Sequence, residues 1–442
     1  MRSKRGNRKD NLLFFGGALL VFAAVQLLIN VGIISPFWST IVLTGGVMAI
    51  VTLGLNLIYG FSGQFSMGQW GFYAIGAYGA ADVTYRWSTL HNASGLVVLG
   101  LCLLLVGVVI GGVNRLLRGV HSVDTLTAFI IYLLLCVGAV VLGVRLGQGL
   151  IGPVTAFLQG LDPAFALQLV FFLAVLLGGA LAAEVSFLFG LPVLALGSDY
   201  FGIATLGLSI IVKVLLDNSD TILGFQEMKG ARGMIGIPKV TTWAWVFVFL
   251  LLALVILRNL LHSSSGRAIV SVREDEVAAR AMGINVAEQK NLAFVVGSFL
   301  AGAAGALYAH INGFLVPSTF SFIRSFDPLI ILVFGGLGSL SGTVIASFGW
   351  ALVLEGLLRL FLPTGFENWR YVIYPLLLLM LMLLKPRGLL AGYELPFLRQ
   401  RVPPRTASAP EPAPAAPVAP VNPAPAASDP TEDAPLNSLE AS

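Results

Sequence analysis

Charge is scarce in this chain: Asp, Glu, Lys and Arg make up 11% of its 442 residues, against about 25% in an ordinary soluble domain, while 57% are hydrophobic. That shortage excludes a soluble globular protein. A mean hydropathy of +0.88 excludes intrinsic disorder over most of the length, since disorder needs low hydrophobicity. Cysteine is nearly absent, and Cys102 and Cys136 both lie inside apolar runs, where the residue acts as a small hydrophobe and says nothing about redox compartment. Histidine is confined to His91, His121, His262 and His310, scattered without metal-ligand spacing, so zinc or iron chemistry has no support and no metal ligand is assigned. No Walker sequence G-x-x-x-x-G-K-[ST] occurs, and the glycines of GGLGSLSG, Gly336 and Gly338 among them, follow no strand, which excludes nucleotide binding by this chain.

The charge that is present divides unevenly. Over the whole chain, 26 basic and 22 acidic residues give +4. From Pro403 onward stand one basic residue, Arg405, and five acids, which leaves 25 against 17, or +8, on the rest. A modest excess of that kind on an apolar chain fits loops at an anionic membrane surface, so membrane lipid is a partner and nucleic acid is not.

Long apolar runs make this an all-α polytopic membrane protein, since each is of the roughly 17–25 residues that cross a bilayer as a helix. They lie near 12–34, 37–60, 65–85, 95–114, 125–147, 167–190, 199–217, 241–261, 291–311, 326–347 and 371–385, with a weaker one at 348–362, so 10 to 12 transmembrane helices are expected. The first exceeds a signal-peptide core and lacks a small-x-small cleavage site, so it is expected to be retained. Arg115 and Arg118, then Arg267, Arg273, Arg280 and Lys290, then Lys385, Arg387, Arg399 and Arg401 fall in alternate loops. By the positive-inside rule this places both termini in the cytoplasm of a bacterial cell, with the protein in the plasma membrane. The expected organisation is a basic cytoplasmic start (1–11), a membrane domain (12–390) and a Pro/Ala-rich disordered cytoplasmic tail (403–442) that holds 11 of the 22 prolines. Glycine clusters at 65–85 and 326–347 read either as close helix packing or as broken, re-entrant helices lining a path.

The internal loop at 262–290 carries helix punctuation. Ser271 followed by Glu274 has the form of a capping box, Gly283 is a helix stop, and Asn285 with Glu288 opens the next span, so a short helix over 272–282 is expected. Val277, Ala278, Ala281 and Met282 give it a small apolar face, and Glu276 and Arg280 stand four residues apart as a pair. Such a helix suits docking into a groove on a soluble partner, or lying on the membrane surface.

The stretch EDEVAARAMGINVAEQKNLAF resembles the coupling loop of ATP-binding-cassette importer permeases. Six further segments, in order, are similar to the M-type permease of the branched-chain amino acid importer family: GLNLIYGFSGQFSMGQWGFYAIGAY, LPVLALGSDYFGIATLGLSIIVK, GARGMIGIP, AGAAGALYAHINGFLVPSTFSFIRS, VFGGLGSLSGTVIAS and KPRGLL. The resemblance implies that Glu274, Asp275, Glu276, Ala278, Ala279, Arg280, Met282 and Gly283 engage partner ATPase subunits, which would hold the ATP and magnesium. It also implies pairing with a second, homologous permease and delivery of cargo by an extracytoplasmic binding protein. The chain itself would be a non-catalytic subunit moving branched-chain or related amino acids inward. It departs from the family pattern where Thr205-Leu206-Gly207-Leu208-Ser209-Ile210 lacks the usual glutamate, where Lys229 replaces a glycine, and where 95–165 reads as an insertion of two helices.

Polar residues in or beside spans are candidates for a translocation path: Gln64, Ser66 and Gln69 in the third run, and Asp199, Tyr200 and Thr205 around the seventh. Hydrogen bonding between helices or an interface anchor explains them equally. Glu184, Lys213, Glu355 and Arg359 are given no ligand. Two alternatives stay open: an importer permease for urea, amides or sugars, and a self-contained secondary carrier using Glu184.

Overall fold

A backbone in hydrocarbon must satisfy its N–H and C=O groups within its own segment, so apolar runs of this length become helices. The computed structural model describes residues 2–117, 125–194, 198–222, 226–357 and scattered positions between 376 and 398. The tail from 403 and most of the expected run 371–385 lie outside them, as do the side chains of the basic start.

The helices are α1 (Arg2–Asn30), α2 (Pro36–Leu55), α3 (Gln69–Leu90), α4 (Ser94–Leu117), α5 (Thr125–Gln159), α6 (Pro163–Val193), α7 (Ser198–Asp217), α8 (Trp243–His262), α9 (Ser264–Glu274), α10 (Glu276–Ala281), α11 (Val286–Asn312), α12 (Phe326–Gly335) and α13 (Leu340–Trp350). Antiparallel pairing of β1 (Met234–Ile235) with β2 (Phe314–Leu315) ties the loop before α8 to the exit of α11. Among the described residues, eight helices are long and apolar enough to cross a bilayer, which makes the chain an all-α polytopic membrane protein.

The other expected runs differ for identifiable reasons. In α1 the apolar stretch among the residues with described side chains is Phe14–Asn30. The run at 65–85 turns helical only at Gln69, and α3 carries Asp82 and Arg86. The run at 326–347 is cut in two: Gly336 (φ 98°) and Gly338 (φ 80°) take conformations that side chains resist, and Ser339 caps a new helix by accepting from the Gly342 N–H at 3.0 Å. The described part of the weak run, 348–357, is therefore the continuation of α13, which widens into a π turn over Ala351–Leu357.

The core sits where α2, α3, α6 and α11 cross. Gly76 lies against the Gly302 backbone, Gly178 against the carbonyl of Gly76, and Gly305 against the carbonyl of Tyr73, so a side chain at any of these would strike main chain. Small residues are what bring helices together in lipid, where no hydrophobic force separates helix from solvent. Gly54 and Gly297 face one another's carbonyls in the same way and join α2 to α11. Outside this core, α4 and α5 pack chiefly on each other, with Gly143 over Cys102 and Gly147 over Val98.

Candidate functional site

The loop between α8 and α11 begins with Ser263, whose hydroxyl accepts from the Gly266 N–H at 3.1 Å and starts α9. The helix expected over 272–282 is in fact two. Asp275 takes an extended conformation (φ −156°, ψ 109°), ends α9, and caps α10 by accepting from the N–H groups of Val277 (2.9 Å) and Ala278 (3.0 Å). Ser271 makes no capping box; its hydroxyl donates to the Ala268 carbonyl at 2.8 Å. A carboxylate is the stronger acceptor for two N–H groups, and the break follows it. At the far end Gly283 (φ 79°) donates to the Arg280 carbonyl and Ile284 to that of Ala279, a closing turn that glycine permits. Asn285 then caps α11 through the Glu288 N–H at 3.3 Å.

This loop has a small core of its own, in which Ala279 is buried with Val272 and Val286 and packed by Ile284. One side of α10 is thereby anchored. The other presents Val277 and Met282, 78% and 83% exposed, the most solvent-facing of the large hydrophobic side chains described. Glu276 braces the unit, its carboxylate 2.8 Å from both the Arg280 guanidinium and the Lys290 ammonium. The hydrogen bond from Lys290 is the main reason its carboxyl is held below the usual carboxylate range, with Arg280 adding to it. Of the eight loop residues singled out, Asp275, Glu276, Ala278, Ala279, Arg280, Met282 and Gly283 thus lie on α10 or its caps, and Glu274 closes α9, exposed.

Two interrupted helices meet beside this loop. The first is α2, which widens into a π turn over Asn56–Phe61 and then runs without helix through 62–68 before α3 begins. The second is the break between α12 and α13. Asn56 is fully buried and joins them: its amide nitrogen donates to the Ser339 carbonyl and the Thr343 hydroxyl, both at 2.9 Å, and its oxygen accepts from the Gly338 N–H at 3.0 Å. From further along the chain, Glu394 accepts from the Leu340 N–H at 2.6 Å, satisfying another donor at the start of α13.

Two bonds attach the loop to this junction. The Arg273 guanidinium, at the end of α9, donates to the Gly60 carbonyl at 2.5 Å, and Gln64 donates to the Lys290 carbonyl at 3.0 Å. Arg273 also lies over Gly63 (φ 77°) and Gly338, where added Cβ atoms would come within 3.3 Å and 3.2 Å of its side chain.

Of the path candidates, Gln64, Ser66, Gln69 and Thr205 are all buried around the non-helical stretch 62–68. Thr205 accepts from the Met67 N–H at 3.1 Å and donates to the Gly202 carbonyl at 3.0 Å, while Ser66 accepts from Gly68. Neither side-chain polar atom of Gln69 meets a hydrogen-bond partner among the described residues. Tyr200 stands apart, 64% exposed on α7; Asp199 belongs to the same helix, with its side chain outside the described set. Asn56 and Arg273 had not been singled out as site residues. A lone amide inside TLGLNLIYG was the available signal for the first, because an uncompensated polar group in a span is costly. Arg273 had counted only as one loop charge among several.

The family model described as branched-chain amino acid transport system / permease component matches residues 123–383. The high-affinity branched-chain amino acid transport system permease protein LivM of Salmonella typhimurium is 32% identical over 308 residues, covering 61% of this chain and 70% of that protein. Its Escherichia coli K12 counterpart is 31% identical over 312 residues, at 62% and 70% coverage. The permease protein LivH of Escherichia coli K12 is 29% identical over 180 residues, covering 40% of this chain and 55% of its own. No solved structure matches the chain.

Proposed function

This chain belongs to the permease-component family of the branched-chain amino acid transport system, and from that premise we propose that it is the membrane-spanning subunit of an ATP-driven importer, moving branched-chain or related amino acids into the cell. The observation that carries the reading is α10: a six-residue helix held on one side by its own small core and offering Val277 and Met282 on the other. A rigid, partly apolar helix of this kind fits a groove on a soluble partner. In this reading the partner is an ATPase subunit that holds ATP and magnesium, a second homologous permease completes the pathway, and an extracytoplasmic binding protein delivers cargo. The α9–α11 loop and both termini face the cytoplasm. The chain itself does no chemistry.

Closure of the ATPases on ATP would displace α10, and transport follows if the two membrane conformations bind the closed ATPases with different affinity. Only that difference does work; docking equally well to both conformations would move nothing.

The test is purification of the tagged chain in mild detergent, with mass spectrometry of its companions and reconstitution into liposomes. An ATPase and a second permease should accompany it, and the ATPase should be lost when Glu276 and Arg280 are both charge-reversed. A chain that purifies alone and transports without ATP would replace this reading with a secondary carrier.

A further inference from the structure

We infer that Arg273 and Asn56 are the positioning residues that carry movement of the docking loop into both interrupted helices. This rests on the importer reading and specifies its transmission. The route is continuous and short. Arg273 is the penultimate residue of α9, two before the break at Asp275, so it moves with the segment from which α10 projects. Its guanidinium holds the Gly60 carbonyl, inside the π turn of α2. One turn earlier in that same widened segment, Asn56 holds three groups of the other interruption, on Gly338, Ser339 and Thr343. Packing adds to the bonds: Cβ atoms placed at Gly60 or Gly338 would press, respectively, on Asn56 with the Gly338 amide and on Arg273. A shift of α9 therefore cannot leave Gly60 behind without breaking a charge-assisted bond, nor can α2 shift without dragging the start of α13.

Both elements being coupled are suited to move. A π turn and a glycine break with positive φ are places where a helix changes direction without dismantling its hydrogen bonds. The remainder of α2 and of α11, locked together at Gly54 and Gly297, is not so suited. Gln64, bonded to the Lys290 carbonyl, fixes the non-helical end of the same segment to the start of α11 and supplies the fulcrum.

The experiment uses the complete complex with its ATPases in liposomes, measuring ATP hydrolysis and uptake of L-leucine together. Arg273→Met keeps the side chain's packing over Gly63 and Gly338 and deletes its donors. The ATPase should still co-purify, hydrolysis should stay within about twofold of the unaltered complex, and leucine moved per ATP should fall at least tenfold. Arg273→Lys, which keeps a cationic donor group, should recover a substantial part of that ratio. An unchanged ratio in Arg273→Met overturns the inference and leaves the importer reading standing, whereas absence of any ATPase from the unaltered complex overturns the reading itself. A second measurement needs no variant: hydrogen exchange of the unaltered complex with and without a non-hydrolysable ATP analogue. Amides at 60–64 and 338–343 should change protection together with those of α10. A change confined to α10 overturns the inference.

Discussion

The helix α2 and the α4–α5 pair are all apolar enough to cross a bilayer, and the pair is the more apolar of the two. Yet 89% of the α2 span is buried within the chain, against 22% for each of α4 and α5. All three are rich in glycine. In α2, Gly45, Gly46 and Gly54 each touch a neighbouring helix, whereas in α4 and α5 the space around Gly111, Gly112, Gly138, Gly149 and Gly152 is open. Apolarity thus assigns a helix to the membrane, and what assigns it to the centre is a partner's backbone at glycine distance together with a polar group that only that partner satisfies.

The largest break in this contrast is expected from Gly305→Leu. The new side chain would drive into the Tyr73 carbonyl, so a loss beyond about 3 kcal/mol and little folded protein in detergent thermal melts are expected. Next is Asn56→Ala, which strands the half-buried Gly338 N–H, while the Ser339 carbonyl keeps the Thr343 hydroxyl and N–H as donors. At about 1–3 kcal/mol for a buried group left unpaired, the melting temperature should fall by several degrees, and less when Thr343→Ala is already present. Met282→Asp should leave that melting temperature unchanged, because the side chain touches solvent, while reducing ATPase co-purification at least tenfold. A smaller effect comes from pH. The Glu276 carboxyl is held low in the folded loop, so its bracing of α10 is complete above the ordinary carboxylate range and is lost as pH falls through the depressed value. Amide exchange in α10 should accelerate in that acidic window, and Glu276→Gln should abolish the acceleration; being partly exposed, the group contributes only modestly. Least of all, Gly138→Ala in α5 should be neutral or stabilise by up to about 1 kcal/mol, since open space lets alanine's helix preference act alone. A destabilised Gly138→Ala chain would show that the outer pair has a close partner after all.

The same comparison explains what was legible in the sequence. Apolar runs gave the helices and the fold class, because span length is a property of the bilayer. The ends of α10 at Gly283 and of the next helix at Asn285 were readable, because caps are local. The break at Asp275 was not: the cap was expected at Ser271, whose hydroxyl turns back to the Ala268 carbonyl, while the Asp275 carboxylate takes the Val277 and Ala278 N–H groups. Nor were the junction residues. A glycine in α2 and a glycine in α5 look alike until the neighbouring helix is known, and the value of Asn56 depends on groups hundreds of residues away. Gln64, Ser66, Gln69 and Thr205 were grouped by polarity and do gather around one stretch, although what gathers Thr205 there is the non-helical backbone of Met67, whose N–H it accepts from.

That distance bears on how the protein is made. The groups that satisfy Asn56 lie 283 and 287 residues downstream. At about 5–20 residues per second, synthesis takes on the order of 15–60 s to reach them. During that interval α2 is already in the bilayer with an unsatisfied amide, at a real but bearable cost in lipid. The junction is therefore closed late in synthesis, and a nascent chain stalled before Ser339 would display the unmet amide as a mark of incompleteness.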